Sequence, residues 1–271
     1  MGKVAVKDPL GNRMKTNYED RYRFYLPRRM PVIIRIDGKA FHTFTKGFQK
    51  PWDSIMIKSM QDTAKFLCEN IMGCQMAYTQ SDEISLLLVD YKRLESQAWF
   101  DNNMQKMCSV AASMATVAFN RAYQSHVRAC MEEMAEGMED LYLSREGIAM
   151  FDARVFVLPE SEVCNYFIWR QQDAIRNSVS AAGQHYFTQK ELQGKKTEEI
   201  KTMLETKGIV WGKFQTLHKF GSCVVKEDAP DNMPKVTKDG RMRFGWYVDN
   251  QIPLFQRSRD YVERWLKPEE E

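Results

Sequence analysis

Residues 31–53 read PVIIRIDGKAFHTFTKGFQKPWD, and this stretch decides the fold together with residues 78–89, YTQSDEISLLLV. The first stretch opens with an apolar, β-branched run, which predicts a strand buried on both faces of a sheet. The run consists of Val32, Ile33, Ile34 and Ile36. It stops at Asp37 and Gly38, a carboxylate followed by a residue that lets the backbone approach a ligand closely.

The second stretch has the pattern of a strand, a tight polar turn at Gln80–Glu83 and an apolar strand over Ile84–Val89. If the strands of the two stretches are neighbours in one sheet, Asp37 and Asp82 meet at one edge. Two carboxylates at one edge repel each other unless a cation lies between them. Mg²⁺ bridging to phosphates suits such oxygen ligands, so the pattern predicts a two-metal phosphoryl or nucleotidyl transfer site.

The net charge of the 271-residue chain is only +3, but the charges are unevenly distributed. Residues 11–50 hold ten Lys or Arg against three acids, and residues 190–226 hold eight Lys against four Glu. Residues 128–162 are acidic, with nine acids against three basic residues. Basic surface beside a carboxylate site favours a polyanionic partner, either RNA or a nucleoside triphosphate. Each basic stretch alone is equally consistent with a solvated surface.

The six Cys and four His show no CxxC pair and no zinc-ligand spacing. The chain has no signal-peptide pattern and no apolar run of about 18 residues, the length expected of a membrane span. We therefore expect a cytoplasmic protein with reduced thiols and no membrane partner.

The order of the predicted elements is β-α-β-β-α-β, the split ferredoxin-like arrangement of an α+β protein, with an antiparallel sheet and helices on one face. Helical spacing predicts helices over 53–72 and 98–123, then an acidic helix and turn over 126–147. Strand four covers 149–158. Beyond it we expect a helix over 161–182 ending at Gly183, a capped helix at Thr188–Glu191, a helix over 197–207, and strands over 221–226 and 241–248. The predicted domains are a catalytic unit, 1–158, and a helical and strand extension packed on it, 159–271.

Three sets of side chains near these elements have two interpretations each. Phe41 and Phe44 either pack inward or stack on a base. Lys106 lies between the apolar positions of the second long helix and is either solvated or in reach of phosphates. Arg28 and Arg29 lie just before the first strand. Their side chains are either solvated in the segment that leads into the strand or in contact with phosphates.

Three ordered segments, Ile36–His42, Lys50–Asp53 and Gln80–Glu83, resemble the tRNA-histidine guanylyltransferase superfamily, whose pattern is R-[IL]-D-G-[RK]-x-F-H, K-P-x-D and Q-S-D-E. The resemblance spans about residues 10–225. Further matches are Phe151, Asp152, Ala153, Arg154, Trp169, Arg170, Gln171, Asp173, Asn177, Leu192 and Gly194.

The resemblance implies a polymerase-like palm that adds nucleotides to the 5′ end of tRNA in the 3′–5′ direction. Asp37 and Asp82 would be the catalytic residues and would bind two Mg²⁺ ions together with the carbonyl of Gly38. ATP would activate the 5′-monophosphate, and the 3′-hydroxyl of GTP would then attack it. Nucleotide-binding candidates are Asp37, Gly38, Lys39, Ala40, Phe41, His42, Ser81 and Asp82, with Arg35, Lys50, Ser81 and Lys106 for a second triphosphate. Candidate tRNA contacts are Arg28, Arg29, Arg154, Arg170, Asn177, Lys195 and Lys196.

The chain departs from the eukaryotic pattern at Trp52, where Asn is usual, and at Ile175–Ser178, where His-Ile-Asn-Asn is usual. Asn102 and Asn103 replace a pair of arginines. These departures are more similar to the bacterial, archaeal or phage guanylyltransferase-like branch, which repairs 5′-truncated tRNAs by templated addition. The family also implies a homo-oligomer, a tetramer.

Two other functions fit parts of the pattern. A nucleotide cyclase uses the same two-metal carboxylate edge but needs no RNA, and the basic stretches disfavour it. A non-catalytic RNA-binding module gains nothing from two adjacent carboxylates.

Overall fold

The computed structural model describes residues 8–228 and 244–267, and within them a six-stranded antiparallel sheet. The strands are β1 (Val32–Gly38), β2 (Cys74–Gln80), β3 (Glu83–Leu88), β4 (Phe151–Val157), β5 (Ser222–Asp228) and β6 (Phe244–Asp249). The helices are α1 (Pro9–Met14), α2 (Phe41–Phe44), α3 (Ser54–Asn70), α4 (Met104–Cys130), α5 (Met138–Leu143), α6 (Glu160–Tyr186), α7 (Gln189–Leu192), α8 (Thr197–Thr206), α9 (Thr216–Phe220) and α10 (Asp260–Glu263). Short 3₁₀ or π turns lie at Lys15–Glu19, Asp20–Tyr22, Trp99–Asn102, Met131–Glu133 and Trp211–Lys213.

The strand order is β4-β1-β3-β2-β5-β6, so the predicted β-α-β-β-α-β core is confirmed. Strand β1 is buried on both faces, as its sequence predicted. Ile34 and Ile36 enter a core shared with α3 and α4, whereas Ile33 enters a second core shared with α6. The two palm helices therefore lie on one face of the sheet, and the first helix after the palm covers the other face.

The segment after β4 completes the same sheet, because β5 pairs with β2 and β6 pairs with β5. A smaller apolar cluster joins the second half of α6 to α8 through Val179, Ala182, Ile200 and Leu204. The division at residue 158 stays a prediction. None of the helices within 8–228 and 244–267 is long and apolar enough to cross a bilayer.

Most predicted helix starts are confirmed, and two helix ends differ from the prediction. The Asp53 side chain caps α3 by accepting from the Met56 N–H, as expected. Helix α4 continues to Cys130 instead of 123, and Val127 on its last turns is fully buried. Gly183 does not end α6. A Cβ there would meet Ile200 Cγ2 at 2.8 Å, so this glycine lets α8 pack closely on α6.

Several predicted segments reach past the described residues, including residues 1–7 of the predicted catalytic unit and 229–243 of the predicted extension. Strand β6 begins at Phe244, and positions 241–243 of the predicted strand lie outside them. The same holds for the last four residues of the predicted extension, 268–271.

Candidate active site

The end of β1 and the turn between β2 and β3 meet at one edge of the sheet. Asp37 is opposite Glu83 in the β1–β3 register, and the Gly38 N–H donates to the Asp82 carbonyl over 3.1 Å. The two carboxylate residues predicted to share a site, Asp37 and Asp82, are therefore neighbours across the end of the sheet.

The electrostatics of this edge suit a cation. Burial raises the pKa of Asp82, the charge of Asp37 raises it further, and a 2.9 Å hydrogen bond from the Ser81 hydroxyl opposes the rise. The ionised form of Asp82 is thus less favourable here than in water, and a nearby positive charge would offset that cost. The Arg154 guanidinium is only a partial counter-ion, since it lies 3.9 Å from Asp37 and 3.7 Å from Asp152.

No group of three or more His, Cys, Asp or Glu side chains gathers into a metal cluster anywhere in the described ranges. Two carboxylates with open positions for backbone oxygen, water and phosphate suit Mg²⁺, which keeps several waters and uses one or two carboxylates. The residues present therefore fit the ion that the sequence predicted.

Gly38 is required at this edge for a steric reason. A Cβ at this position would meet the Phe41 ring at 2.3 Å. The rings of Phe41 and Phe44 are buried and pack against Phe119 at centroid distances of 5.4 and 5.8 Å. Their inward packing is confirmed, and the burial leaves neither ring a free face for a base.

Three other nucleotide candidates follow Asp37 on the surface. The Lys39 N–H donates to the Met150 carbonyl, and the Lys39 side chain is exposed. The backbone of Ala40 has the left-handed helical conformation, with φ 55°, and Ala40 is the N-cap of the short helix α2. His42 on that helix is exposed and lies 3.1 Å from the Thr43 hydroxyl. This turn brings the Asp37–His42 segment around the carboxylate edge.

A buried ion pair supports the Ser81–Asp82 turn from behind. The Arg170 guanidinium on α6 donates two hydrogen bonds to Glu83, of 2.7 and 2.6 Å, and a third to Asp173, of 3.0 Å. Burial raises the pKa of Glu83, and the Arg170 hydrogen bonds oppose that rise. Arg170 is buried and its Nε and Nη2 groups bond two carboxylates, so the expectation that it contacts tRNA is corrected: it holds Glu83.

Sequence reasoning did not single out Glu83 as a functional residue. The signal that could have found it is a charge at the first position of β3, a strand whose six residues are all buried, because an ionised side chain there needs a buried partner. Arg35 lies on β1 opposite Ser85 and Arg154, and its charge also reaches Glu83. The Arg35 Nε is buried and has no hydrogen-bond partner within the described part of the chain.

A cavity of about 230 Å³ opens beside Ser81, between α6, α9 and the loop before α3. Lys50, Ser81 and Asn177 line it together, although Asn177 was expected to contact tRNA. Asp53 fixes the loop that bears Lys50. Its carboxylate accepts from the Met56 N–H at 2.8 Å, from the Gln49 N–H at 3.2 Å and from the Tyr142 hydroxyl.

Lys106 lies at the opposite end of the sheet from the carboxylate edge. Strand β3 runs away from Asp82, so α4 begins beside the Val32–Leu88 end of the strands and returns toward the site only at Thr116. Five residues of strand correspond to about 17 Å. Within one chain, Lys106 therefore lies too far away to contact a phosphate held at Asp37 and Asp82, and its contact with a second triphosphate stays a prediction.

Arg28 and Arg29 are at that far end as well. The Arg28 side chain bonds Asp90 at 2.7 Å and Asp101 at 2.9 Å, and the backbone N–H of Arg29 bonds Asp90 at 2.9 Å. The Arg28 side chain is thus tied to two acids, whereas only the backbone of Arg29 is bonded there, and the predicted tRNA contact of these residues stays a prediction. Lys195 and Lys196 lie at the start of α8, far along the chain from the carboxylates and exposed on the outer helices.

The sheet and its carboxylate edge place the chain in the polymerase-like palm class. Comparisons with known proteins then assign the family. A family model described as tRNAHis guanylyltransferase matches residues 11–159, more than half of the chain. The chain belongs to the tRNAHis guanylyltransferase family.

Individual relatives agree with this assignment. A bacterial tRNA(His) guanylyltransferase-like protein in complex with ATP is 41% identical with a TM-score of 0.80, covering 96% of this chain and 99% of that one. A structure of such a bacterial protein in complex with GTP has a TM-score of 0.76 at 40% identity, with the same coverage. An uncharacterized protein of Acanthamoeba polyphaga mimivirus is 30% identical over 82% of this chain and 78% of its own length. The tRNA(His) guanylyltransferase of Debaryomyces hansenii is 32% identical over 59% of this chain and 55% of its own length.

Proposed function

We propose that this chain adds nucleotides to the 5′ end of tRNA in the 3′–5′ direction, with Mg²⁺ bound at Asp37 and Asp82. The observation that carries the proposal is the pairing of these carboxylates across the sheet edge, where Gly38 bonds the Asp82 backbone. Two Mg²⁺ ions bound there would lower the pKa of the attacking 3′-hydroxyl and neutralise the leaving group. The chain's own residues position the carboxylates, and none of them needs to become a covalent nucleophile.

The cavity beside Ser81 supports a site for nucleoside triphosphate. Lys50 supplies a positive charge to the cavity, and Ser81 and Asn177 supply hydrogen-bonding groups; Ser81 is also the chain neighbour of Asp82. We assign the phosphates of ATP or GTP to these residues. The related bacterial structures, which are complexes with ATP and with GTP, support a triphosphate ligand.

Contact with tRNA is assigned to the basic outer helices. Lys195 and Lys196 are exposed at the start of α8, and Arg154 is half-exposed beside Asp37. An RNA strand that reaches from α8 to the carboxylate edge would place its 5′ phosphate near Arg154. The counter-charges nearby, such as Glu199 at 3.5 Å from Lys195, are themselves exposed and hold the lysines only weakly.

We also propose a cytoplasmic homo-oligomer, a tetramer. The N-terminal arm carries an exposed apolar stripe at four-residue spacing, Leu10, Met14, Tyr18 and Tyr22. Contact with another copy of the chain would remove this apolar surface from water. Light scattering of the full chain tests this, and a monomer at micromolar concentration would contradict it.

The experiment for the activity uses a tRNA transcript that lacks its 5′ nucleotide and carries a labelled 5′-monophosphate. It is incubated with the protein, Mg²⁺, ATP and each nucleoside triphosphate, and the products are resolved at single-nucleotide length. We expect growth by the nucleotide that pairs with the 3′ half of the acceptor stem. A single G added only to tRNA-histidine would indicate the specific guanylyltransferase instead. Cyclic product from ATP or GTP without any extension would contradict the proposal and indicate a cyclase.

A further inference from the structure

Two aromatic rings form one wall of the cavity beside Ser81. Trp52 and His218 stack with ring centroids 4.5 Å apart and an angle of 9° between their planes. Phe214 and Trp52 pack edge to face, with ring centroids 4.7 Å apart. Trp52 and His218 both line the cavity and are only partly buried, so the pair keeps ring surface available to a ligand.

The pair is held in place from both sides before any ligand arrives. On one side, Gly221 has φ +81°, and a Cβ there would meet the Thr79 carbonyl oxygen at 2.6 Å, so only glycine lets α9 lie this close to β2. That close approach puts His218 at the cavity. On the other side, the loop that carries Trp52 is fixed by the buried, fully hydrogen-bonded carboxylate of Asp53.

The size and the chemistry of the cavity fit part of a nucleotide. Pockets that enclose a whole drug-sized ligand measure about 300–1,000 Å³, whereas this cavity measures about 230 Å³. Its lining includes the polar groups of Lys50, Ser81 and Asn177 as well as the aromatic pair. Burial lowers the pKa of His218, so its ring is neutral at pH 7 and stacks as an uncharged aromatic.

We propose that Trp52 and His218 form the base-binding wall of the triphosphate site and take a purine base by stacking. The inference rests on the proposed function, because it assumes that Lys50 and Ser81 hold the phosphates of the same nucleotide. Stacking on aromatic side chains tolerates any base, since each has a π face, and its strength depends on the base. A purine has the larger face, so the wall favours ATP and GTP over CTP and UTP.

The test separates the base from the phosphates. Calorimetric titrations of the full chain with Mg²⁺ and ATP, GTP, CTP or inorganic tripolyphosphate compare the wild type with Trp52→Ala, Trp52→Phe and Lys50→Ala. We expect Trp52→Ala to weaken ATP and GTP binding about tenfold, the lower range for removal of a stacked aromatic. Tripolyphosphate binding should stay within about twofold, and Trp52→Phe should recover most of the ATP affinity. Trp246→Ala, on β6 and away from the cavity lining, is the control and should bind every ligand as the wild type does.

Each outcome decides a different claim. Equal affinity of Trp52→Ala and the wild type for ATP would overturn the base-binding wall while leaving the phosphate site intact. An equal loss for ATP and tripolyphosphate would also overturn it, because the change would then have collapsed the cavity. Lys50→Ala should weaken both ligands, and unchanged binding there would contradict the proposed triphosphate site itself. If Trp52→Ala does not fold, His218→Ala removes the second ring and should give the same ATP-specific loss.

Discussion

Arg170 on α6 donates two hydrogen bonds to Glu83, of 2.7 and 2.6 Å, and Glu83 directly follows Asp82 in the turn that forms the candidate metal edge. Both side chains are buried. Asp82, which we assign to catalysis, is therefore the chain neighbour of a residue that is held in a buried ion pair with α6. The pair fixes where the turn ends and where β3 begins.

Loss of Arg170 should destabilise the fold. Breaking a buried ion pair leaves an uncompensated charge, which typically costs about 3–5 kcal/mol. We expect Arg170→Ala to lower the free energy of unfolding by about that amount in urea denaturation. Arg176→Ala is the matched control, since Arg176 is exposed and pairs with Asp173 at 2.8 Å. Arg176→Ala should lower the free energy of unfolding by no more than about 1 kcal/mol. An equal decrease in the two variants would contradict the role of the buried pair.

Asp82→Ala should abolish nucleotide addition and leave the fold intact, because the Asp82 side chain supports no other described element. Metal stabilisation of the transition state is worth several kcal/mol, so kcat should fall by more than about 100-fold. Circular dichroism and urea unfolding check the fold, and product analysis on a 5′-truncated tRNA checks the rate. Asp62→Ala, on the exposed surface of α3 beside His126, is the control and should keep wild-type activity. A folded Asp82→Ala enzyme with wild-type turnover would refute the metal assignment.

The double variant Lys195→Ala/Lys196→Ala should weaken tRNA binding and reduce its salt dependence. Each phosphate contact contributes about 0.7–0.9 to the slope of log K against log salt, so two lost contacts lower the slope by about 1.5. Filter binding over a range of salt concentrations measures this. Lys58→Ala, exposed on α3, is the control. An unchanged slope in the double variant would show that these lysines face only solvent.

The histidine of the aromatic pair should make stability depend on pH. Burial lowers the pKa of His218 in the folded chain, so the unfolded chain binds a proton more readily. The stability contribution of the neutral ring is present above a pH of about 6.5 and is lost as the pH falls toward the lower pKa of the folded state. His218→Phe keeps a stacked ring without a titrating group. The decline in unfolding free energy between about pH 7.5 and 5.5 should therefore be smaller in this variant, and an identical decline would show that the ring is not linked to folding.

Local patterns were sufficient for the sheet and for its carboxylate edge. The β-branched run before Asp37 and the polar turn at Asp82 each specify a short element, and strand pairing then brings the two ends together. The cap at Asp53 and the capping box at Thr188 were also visible in the sequence, because capping uses residues at most three apart.

Long-range partners could not be predicted in the same way. Arg170 is 87 residues from Glu83, and nothing local distinguishes it from a solvated arginine on a polar helix. The helix pattern left Lys106 either solvated or in reach of phosphates, and only the direction in which α4 crosses the sheet shows that it begins at the end away from Asp82. The stacking of Trp52 on His218 joins a loop before α3 to a helix more than 160 residues later.

The most direct test of the two-metal edge is a count of bound ions. Electron paramagnetic resonance measures free Mn²⁺ while the protein, with a non-hydrolysable ATP analogue, is titrated with the metal. The account predicts that the wild-type chain binds two Mn²⁺ ions. At the same metal concentrations, the Asp37→Asn/Asp82→Asn variant should bind neither. Unchanged Mn²⁺ stoichiometry and affinity in a folded double variant would contradict the assignment of Asp37 and Asp82 as the metal ligands.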